Sequence, residues 1–378
     1  MHIPRDIAPD SEVAAWVSLN LVPEVGPVHF RRLVERLGSA REALAAPYGR
    51  LLQIHGIGEV RAANLLAARS DAHQKRLERE LDAMGKLPDL SLFLLCDPDY
   101  PAPLKDLPDP PAVLYVRGEY RPEDRLAVSM VGTRNPSPYG RELARKLGAG
   151  LARVGVTVVS GCAAGIDLAS QMGAVAAGGR SIGVLGCGVD LVYPANERSS
   201  FERIIASGAL MSEFPLGTEP APGNFPRRNR LIAALGLGVV VVEAPEKSGA
   251  LITVKFAEEL NREVMSCPGN AIRDGARGSH ALLKDGAALV ESVEDILRAV
   301  GHAADPRLFA DRVTAPQAPD LTDGEAALLG SLTAEPVHVD ELTARLGSPR
   351  AEVLQLLLSL ELKGVVEPLP GMYYRRPF

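Results

Sequence analysis

A cluster of basic side chains near the middle of the chain offers the clearest chemistry in the sequence. Arg227, Arg228 and Arg230 lie in the segment GNFPRRNR, and no carboxylate occurs between Glu219 and Glu243. Guanidinium groups bind phosphates through paired hydrogen bonds. Three guanidiniums without a neighbouring carboxylate therefore predict an anion site, which the sequence places before a short apolar helix.

Two other loops have residues suited to an anion. In the segment VGTRN, Arg134 follows a glycine turn, and the N–H groups of Gly132 and Thr133 are placed to complete a phosphate cradle. The alternative is a structural Arg134 paired with a surface carboxylate. The segment SGCAAGID puts small residues before a helix N-terminus, which favours an anion there, with Asp167 as a first-turn cap.

Standard sequence fingerprints of nucleotide cofactors and of metal sites are absent from the sequence. There is no G-x-x-x-x-G-K-[ST] motif, and Gly186-x-Gly188 lacks the third glycine of a dinucleotide fingerprint. Asp167 and Glu243 are either catalytic carboxylates or a cap and a strand-end residue. The four cysteines form no C-x-x-C pair and the histidines are scattered, so we expect no metal and no cofactor.

Composition limits the way in which this chain can bind a nucleic acid. A length of 378 residues with 46% hydrophobic content indicates two or three globular domains. The net charge of -6 opposes binding through a broad basic surface, and 4% aromatic content is poor for a base-stacking sheet. Local phosphate contacts are the expected mode. The N-terminal segment has no apolar run of signal-peptide length, which predicts a cytoplasmic protein.

The elements that position these loops follow an alternating pattern. Short apolar runs alternate with helical segments, which indicates an α/β fold with a doubly wound parallel sheet. In such a sheet, ligands bind at the loops beyond the carboxyl ends of the strands. The predicted strands are 126–131, 156–159, 181–185, 209–211, 239–242, 263–266 and 287–290, and the predicted helices are 140–154, 166–177, 197–205, 231–235, 251–261 and 279–284.

The flanking regions are predicted to be separate domains. Residues 1–86 are expected to form a helical SAM-like or helix-hairpin-helix domain, in which Gly56 and Gly58 let backbone N–H groups approach a DNA phosphate or simply make a tight turn. Residues 87–300 form the sheet domain and 301–318 a linker. Residues 319–378 predict a winged helix, with helices at 325–332, 339–346 and 350–363 followed by a hairpin at 365–374. Its Arg375 and Arg376 are candidates for a secondary DNA contact; a role in protein docking or dimerisation is the alternative.

Six collinear motifs closely resemble the DprA (Smf) family of DNA-processing proteins. They lie within about 87–300, and the flanking domains also resemble accessory domains found around that core. The resemblance implies an extended Rossmann-like domain. The motifs are VGTRNPSPYG, SGCAAGIDLASQMGAV, GVLGCGVDLVYPANE, MSEFPLGTEPAPGNFPRRNRLIAALG, VVVEAPEKSGALIT and REVMSCPGN.

The resemblance also implies a function and a set of site residues. Family members are non-enzymatic mediators that bind single-stranded DNA, dimerise through the Rossmann-like domain, protect incoming DNA and load RecA during natural transformation. Phe225 is then the candidate for stacking a base, with a buried hinge contact as the alternative. The implied pocket consists of Gly132, Thr133, Arg134, Ser160, Gly161, Phe225, Arg227, Arg228, Asn229, Arg230, Ser248, Gly249 and Lys255.

Two residues depart from the family pattern, and a second function is compatible with the sequence. Ala164 stands where the family usually has a basic residue, and Gln171 where it usually has a histidine. A nucleotide phosphoribohydrolase on a related sheet is the alternative function. That class carries a P-G-G-x-G-T run, whereas this chain has EAPEKSG at the comparable strand end. Contact of the terminal domains with double-stranded DNA is a further open question.

Overall fold

A computed structural model describes residues 7, 8, 10–303, 321–332, 335–362 and 365–376. The chain divides into two compact units, Met1–Arg312 and Val313–Phe378. The predicted linker at 301–318 falls almost entirely outside the described residues, so the predicted domain boundaries stay predictions. None of the helices in the described part of the chain is long and apolar enough to cross a membrane.

The first unit begins with six helices. Gly56 adopts a positive φ of 87° in the turn that leads to Gly58, and Gly58 is the N-cap of the next helix. Arg61 of that helix donates to the carbonyls of both Gly56 and Glu24, so it joins this turn to the earlier turn at Glu24. The helices are α1 Glu12–Asn20, α2 Pro27–Leu37, α3 Ala40–Ala45, α4 Tyr48–Leu51, α5 Glu59–Ala67 and α6 Asp71–Gly85.

The centre of the first unit is a nine-stranded sheet in the order β1-β2-β6-β5-β4-β3-β7-β8-β9. Neighbours from β6 to β9 are parallel, and β2 pairs antiparallel with both β1 and β6. The strands are β1 Leu90–Leu94, β2 Val113–Gly118, β3 Ala127–Val131, β4 Thr157–Ser160, β5 Ser181–Val184, β6 Ala209–Ser212, β7 Gly238–Val241, β8 Glu263–Ser266 and β9 Ala288–Leu289.

Helices connect the parallel strands and cover the apolar faces of the sheet. β3 to β7 are buried along their whole length, as continuous apolar strands of a parallel sheet require. The helices are α7 Ala102–Lys105, α8 Pro138–Arg153, α9 Ile166–Ala176, α10 Arg198–Ser207, α11 Asn224–Leu235, α12 Ala250–Glu259, α13 Arg277–Lys284 and α14 Val293–Ala303.

The strand order places a switch point between β3 and β7. The connection from β3 leads through α8 to its neighbour β4, whereas β7 pairs with the other side of β3 and continues through α12 to β8. The loops that follow β3 and β7 therefore diverge and leave a crevice at the carboxyl edge of the sheet. This is the edge at which the sequence predicted the anion-binding loops.

One helix differs from its prediction in a way that affects the site. The sequence predicted a helix from Leu231, with the arginines in a loop before it, but α11 begins at Asn224. Pro226 lies in its first turn, where a missing N–H costs no intrahelical hydrogen bond. The arginines therefore lie on a helix, and helical spacing decides which way each side chain points.

The second unit has the predicted winged-helix architecture. Three helices pack around an apolar cluster that includes Leu328, Leu342 and Leu357, and a three-stranded sheet has the order β10-β12-β11. The prediction contained a hairpin and missed the short β10, which pairs with β12. The elements are α15 Asp323–Ser331, β10 Val337–His338, α16 Val339–Leu346, α17 Arg350–Leu362, β11 Glu367–Leu369 and β12 Tyr373–Arg375.

Candidate nucleic-acid interface

A cavity of about 580 Å³ opens beside the switch point, and we call it the Arg134 cavity. It brings together residues from the ends of β3 and β7 and from α9, α11 and α12. Most of the sequence-predicted site residues line it. The lining residues are Val131, Gly132, Thr133, Arg134, Ala163, Asp167, Tyr193, Pro222, Phe225, Pro226, Arg228, Asn229, Ile232, Pro245, Lys247, Ser248, Gly249, Ala250, Ile252 and Thr253.

The loop after β3 places an exposed guanidinium at this cavity. A side chain at Gly132 would meet Ile166 at 2.5 Å, so glycine allows the loop to pack closely against α9. The predicted use of the Thr133 N–H for phosphate is wrong in this structure, because it donates to the carbonyl of Glu243 at 2.7 Å. Arg134 is exposed and forms no ion pair with any described residue. Its guanidinium is therefore available to an anionic ligand.

Helix α11 presents one face to the Arg134 cavity. Phe225, Asn229 and Ile232 are spaced by four and three residues, so they lie on the same side of the helix. The Asn229 side-chain amide donates to the carbonyl of Gly249 at 3.4 Å. This contact joins α11 to the turn that precedes α12. Both segments were predicted to contribute to the site, and both line the Arg134 cavity.

An aromatic pair forms another part of the wall. Phe225 is half-buried, with the Arg134 guanidinium carbon 5.5 Å from its ring centroid and the Tyr193 ring 5.8 Å away. Tyr193 is 43% exposed and lines the cavity, so Phe225 is not the only aromatic candidate for stacking there. Sequence reasoning missed Tyr193. The available signal was an aromatic residue in the loop after β5, at the carboxyl edge of the sheet.

The expectation that the three arginines lack carboxylate partners is wrong for two of them. Arg227 and Arg230 are three residues apart on a second face of α11, and both donate to Glu213 Oε2, at 2.7 and 2.8 Å. Arg230 also pairs with Asp109 at 3.0 Å. Asp109 comes from a distant part of the chain, and Glu213 lies just before the carboxylate-free segment between Glu219 and Glu243, so a search within that segment finds neither. Arg227 keeps 45% of its side chain exposed, whereas Arg230 keeps 4%.

Arg228 is buried beneath the Arg134 cavity. Its guanidinium donates to the carbonyls of Gly161, at 2.8 Å, and Val184, at the ends of two parallel strands. A Cβ at position 161 would lie 2.5 Å from this group, so glycine is required there. Burial lowers the pKa of Arg228, and the nearby Asp167 opposes that shift. Arg228 therefore holds strand ends together and adds positive charge below the cavity.

The segment SGCAAGID is more closed than predicted. Ser160 is fully buried, and its hydroxyl donates to the carbonyl of Met130. The N–H of Ile166, the first residue of α9, donates to the carbonyl of Thr133. The carboxylate of Asp167 accepts the N–H of Gly161 at 3.1 Å, in the loop before the helix. Burial raises the pKa of Asp167, and Arg228 opposes the rise. Ser160 and Gly161 thus support the wall without lining the cavity.

Glu243 has a structural contact at the end of β7. One carboxylate oxygen accepts the N–H of Ser137 at 3.0 Å, and the other accepts its hydroxyl at 2.5 Å. The same hydroxyl accepts the N–H of Gly140 and caps α8. This geometry supports the prediction of a strand-end residue, because the carboxylate fixes the turn that carries Arg134.

The turn before α12 completes the cation set. Lys247 is exposed, lines the Arg134 cavity and forms no ion pair with any described residue, although sequence reasoning did not single it out. Ser248 accepts the N–H of Ala250 at 3.2 Å, which fixes the turn. Lys255 is exposed on α12 but does not line the cavity. Its predicted contact with DNA remains a prediction without support from this geometry.

The secondary predicted contacts lie far from these residues in sequence and differ among themselves. Gly56 and Gly58 are exposed at the turn before α5. Arg375 is half-buried and pairs with Glu367 at 2.7 Å, whereas Arg376 is exposed. A DNA contact at any of these four residues remains a prediction.

The two departures from the family pattern have different surroundings. Ala164 is half-buried in the loop before α9. Gln171 is fully buried, and its amide donates to the hydroxyl of Ser181 and the carbonyl of Ile182 at 3.2 and 3.3 Å. Gln171 therefore joins α9 to the neighbouring strand and lies away from the cavity surface.

Comparisons with known proteins identify matches along most of the chain. The family model described as DNA recombination-mediator protein A matches residues 91–301, DprA winged helix domain matches 312–372, and DprA-like N-terminal HHH domain matches 10–83. Protein Smf of Synechocystis sp. is 34% identical, with 97% of this chain and 99% of that protein covered. DNA processing protein DprA of Bacillus subtilis is 40% identical over 52% of this chain and 67% of that protein.

Two solved structures are similar in fold. The X-ray structure of DprA from Streptococcus pneumoniae has a TM-score of 0.59 and 28% identity, and covers 79% of this chain and 98% of that chain. DprA from Helicobacter pylori, described with its single-stranded DNA binding mode, has a TM-score of 0.51 and 28% identity, and covers 59% of this chain and 97% of that chain.

Proposed function

Because the chain belongs to the DNA recombination-mediator protein A family of DprA and Smf proteins, we propose that it binds single-stranded DNA in the Arg134 cavity. A role in DNA processing and recombination follows from the family. The observation that carries the proposal is the exposed Arg134 guanidinium beside the Phe225 and Tyr193 rings. A cation and aromatic faces at one opening match the phosphate and the base of one nucleotide.

Exposure assigns different roles to the cations. Arg134 and Lys247 contact phosphates directly, since both are exposed and form no ion pair with a described residue. Arg227 shares its guanidinium between Glu213 and solvent and supplies a further contact. Arg228 and Arg230 are each 4% exposed and act as positioning residues that hold α11 against the sheet. Affinity thus arises from a few local cations, which agrees with a net charge of -6.

The aromatic pair provides contacts that do not depend on base identity. Every base presents a flat face, so stacking adds affinity without a sequence code. The Phe225 ring is held from below by Gly186, where an added Cβ would lie 2.9 Å from it. A ring fixed in this way loses little side-chain entropy when a base stacks on it. Tyr193, at 43% exposure, extends the same platform.

The finer parts of the function follow the family resemblance. The protein covers incoming single strands, protects them and loads RecA on them during natural transformation in the cytoplasm. It acts as a homodimer through the Rossmann-like domain. A catalytic role is not part of the proposal, because the carboxylates of Asp167 and Glu243 accept hydrogen bonds from Gly161 and Ser137 and serve the local fold.

Titration of a labelled oligo-dT with three proteins tests the DNA-binding proposal. Arg134→Ala should bind at least about tenfold more weakly than wild type, because it loses a charge-assisted hydrogen bond to phosphate. Its plot of log affinity against log salt concentration should also be shallower by about 0.7. Fluorescence anisotropy at two salt concentrations measures both quantities.

Arg153→Ala is the matched control. Arg153 is also exposed, but it ends the 16-residue α8, whose other end follows the Arg134 loop. A helix of that length places Arg153 about 24 Å away along its axis. The control should bind like wild type. Equal losses in the two variants would overturn the Arg134 assignment, and absence of binding by wild type at low salt would overturn the function.

A further inference from the structure

A second cavity, of about 600 Å³, lies at the same edge of the sheet, and none of the DNA contacts proposed for the Arg134 cavity lies in it. We call it the Glu243 cavity; it is lined by residues at the start of α8, at the end of β7 and in the segment after β8. Its volume is in the range of sites that hold nucleotide-sized ligands. Its principal side chains are Tyr139, Glu243, Asn270 and Arg273.

The carboxylate in this cavity can accept further hydrogen bonds. Glu243 is 8% exposed and forms no ion pair with Lys or Arg in the described part of the chain. Its two contacts with Ser137 occupy about half of the acceptor positions of an ionised carboxylate. A nearly buried carboxylate with free acceptor positions favours a ligand that presents N–H groups.

The other side chains define the remaining parts of the ligand. Tyr139 is 53% exposed, and its hydroxyl donates to the carbonyl of Pro268 at 3.2 Å, which anchors an open ring face. Arg273 is exposed and forms no ion pair with a described residue. The cavity therefore offers an acceptor, a flat surface and a cation. A nucleotide with an exocyclic amino group has the complementary donor, flat base and phosphate.

Chain connectivity puts the two cavities close together. Arg134 lines the first and Ser137 lines the second, and three residues span at most about 11 Å. Glu243 and Pro245, on the segment after β7, likewise line one cavity each. A strand whose backbone lies at Arg134 can reach the Glu243 cavity within a few nucleotides.

We propose that the Glu243 cavity is a second nucleotide subsite that takes an amino-bearing base of the same strand, so that the protein prefers strands with cytosine to strands of thymine alone. This inference rests on the proposed binding of single-stranded DNA. The N4 amino group of cytosine donates to the Glu243 carboxylate, whereas thymine places a carbonyl oxygen there and is repelled. Tyr139 stacks on the base, and Arg273 contacts the adjoining phosphate.

Competition between oligo-dC and oligo-dT of equal length tests this subsite at mildly alkaline pH, where cytosine is unprotonated. The wild type should favour oligo-dC by about tenfold or more, the effect of a hydrogen bond to a charged acceptor. Glu243→Gln should bring the ratio close to one, because an amide presents both a donor and an acceptor. The amide can keep the contacts with Ser137, and unchanged Trp16 fluorescence would show that the variant is folded.

Two exposed arginines of one segment provide a second, independent test. Arg273→Ala should weaken both oligonucleotides alike, whereas Arg277→Ala should not. Arg277 is 65% exposed, pairs with Asp274 and does not line the cavity, so it controls for the loss of charge. Neither change removes a buried group, so folding is not in question.

Each remaining outcome decides between the two proposals. Wild-type binding without any preference between oligo-dC and oligo-dT, or a preference that survives Glu243→Gln, overturns the subsite and leaves the Arg134 cavity as the binding site. Failure of wild type to bind either oligonucleotide overturns the proposed function itself. Glu243-dependent binding of free dCMP without oligonucleotide preference would assign the cavity to a free nucleotide and overturn the strand subsite.

Discussion

The loop after β3 and the helix α11 both carry arginines, and the structure treats them in opposite ways. Arg134 in the loop is exposed and unpaired among the described residues. On α11, Arg230 lies between Glu213 and Asp109, and Arg228 lies against two strand-end carbonyls. The helix has the higher density of positive charge, but the loop has the more available charge. Charge density in sequence is therefore a poor measure of ligand contact.

Burial explains why the helix arginines must be paired. Removing a guanidinium from water costs several kcal/mol, so a buried arginine needs carboxylate or carbonyl partners. Glu213 has 2% of its side chain exposed and faces the same penalty, which Arg227 and Arg230 together offset. The paired groups fix the position of α11, and α11 in turn positions Phe225 and Asn229 at the cavity. The two kinds of arginine thus differ in function as well as in exposure.

The largest expected effect comes from breaking the buried pair. Arg230→Ala should lower the free energy of unfolding of the first unit by about 3 to 5 kcal/mol, because it leaves a buried carboxylate with one partner fewer. Arg134→Ala should change it by no more than about 0.5 kcal/mol. Urea unfolding followed by the fluorescence of Trp16, the single tryptophan, measures both. Equal midpoints for the two variants would refute the distinction between helix and loop.

A smaller effect should separate stacking from charge. Phe225→Leu keeps an apolar side chain on Gly186 but removes the ring, so oligo-dT binding should weaken by about 1 to 3 kcal/mol. No phosphate contact is lost, and the salt dependence should stay that of wild type. Arg134→Ala should instead change both affinity and salt dependence. A shallower salt dependence in Phe225→Leu would mean that the ring acts only by positioning Arg134.

Much of the fold was predictable because local patterns agree with it. The predicted strand 263–266 is identical to β8, and the predicted helix at 339–346 is identical to α16. A continuous apolar run can be recognised from nearby residues alone, without knowledge of tertiary contacts. The start of α11 was missed because the helix was predicted from its apolar segment at 231–235 alone, whereas the helix begins at Asn224 and tolerates Pro226 in its first turn.

The site was less predictable because its electrostatics are set by tertiary contacts. Glu213 and Asp109 come close to the arginines only when the chain folds, and neither lies between Glu219 and Glu243, where the sequence lacks carboxylates. The N–H of Thr133 is also unavailable to a ligand, because it donates to the carbonyl of Glu243 just after β7. The sequence identifies which loops converge at the carboxyl edge of the sheet. It does not identify which donors remain free once the loops have packed.

The smallest expected effect comes from comparing two exposed lysines, one in the turn before α12 and one on α12. Lys247 lines the Arg134 cavity, whereas Lys255 lies six residues beyond the cap Gly249 of α12, a rise of about 9 Å, and does not line it. Lys255→Ala should therefore weaken oligo-dT binding by less than about twofold, with the salt dependence unchanged, because a charge outside the cavity acts only through screened, long-range attraction. Lys247→Ala, which removes the same charge from a cavity wall, should weaken binding more and make the salt dependence shallower by about 0.7. Anisotropy titrations at two salt concentrations measure the difference between the lysines. If Lys255→Ala has the larger effect, the strand follows α12 rather than the Arg134 loop, and the exposed cations would have to be assigned again from that path.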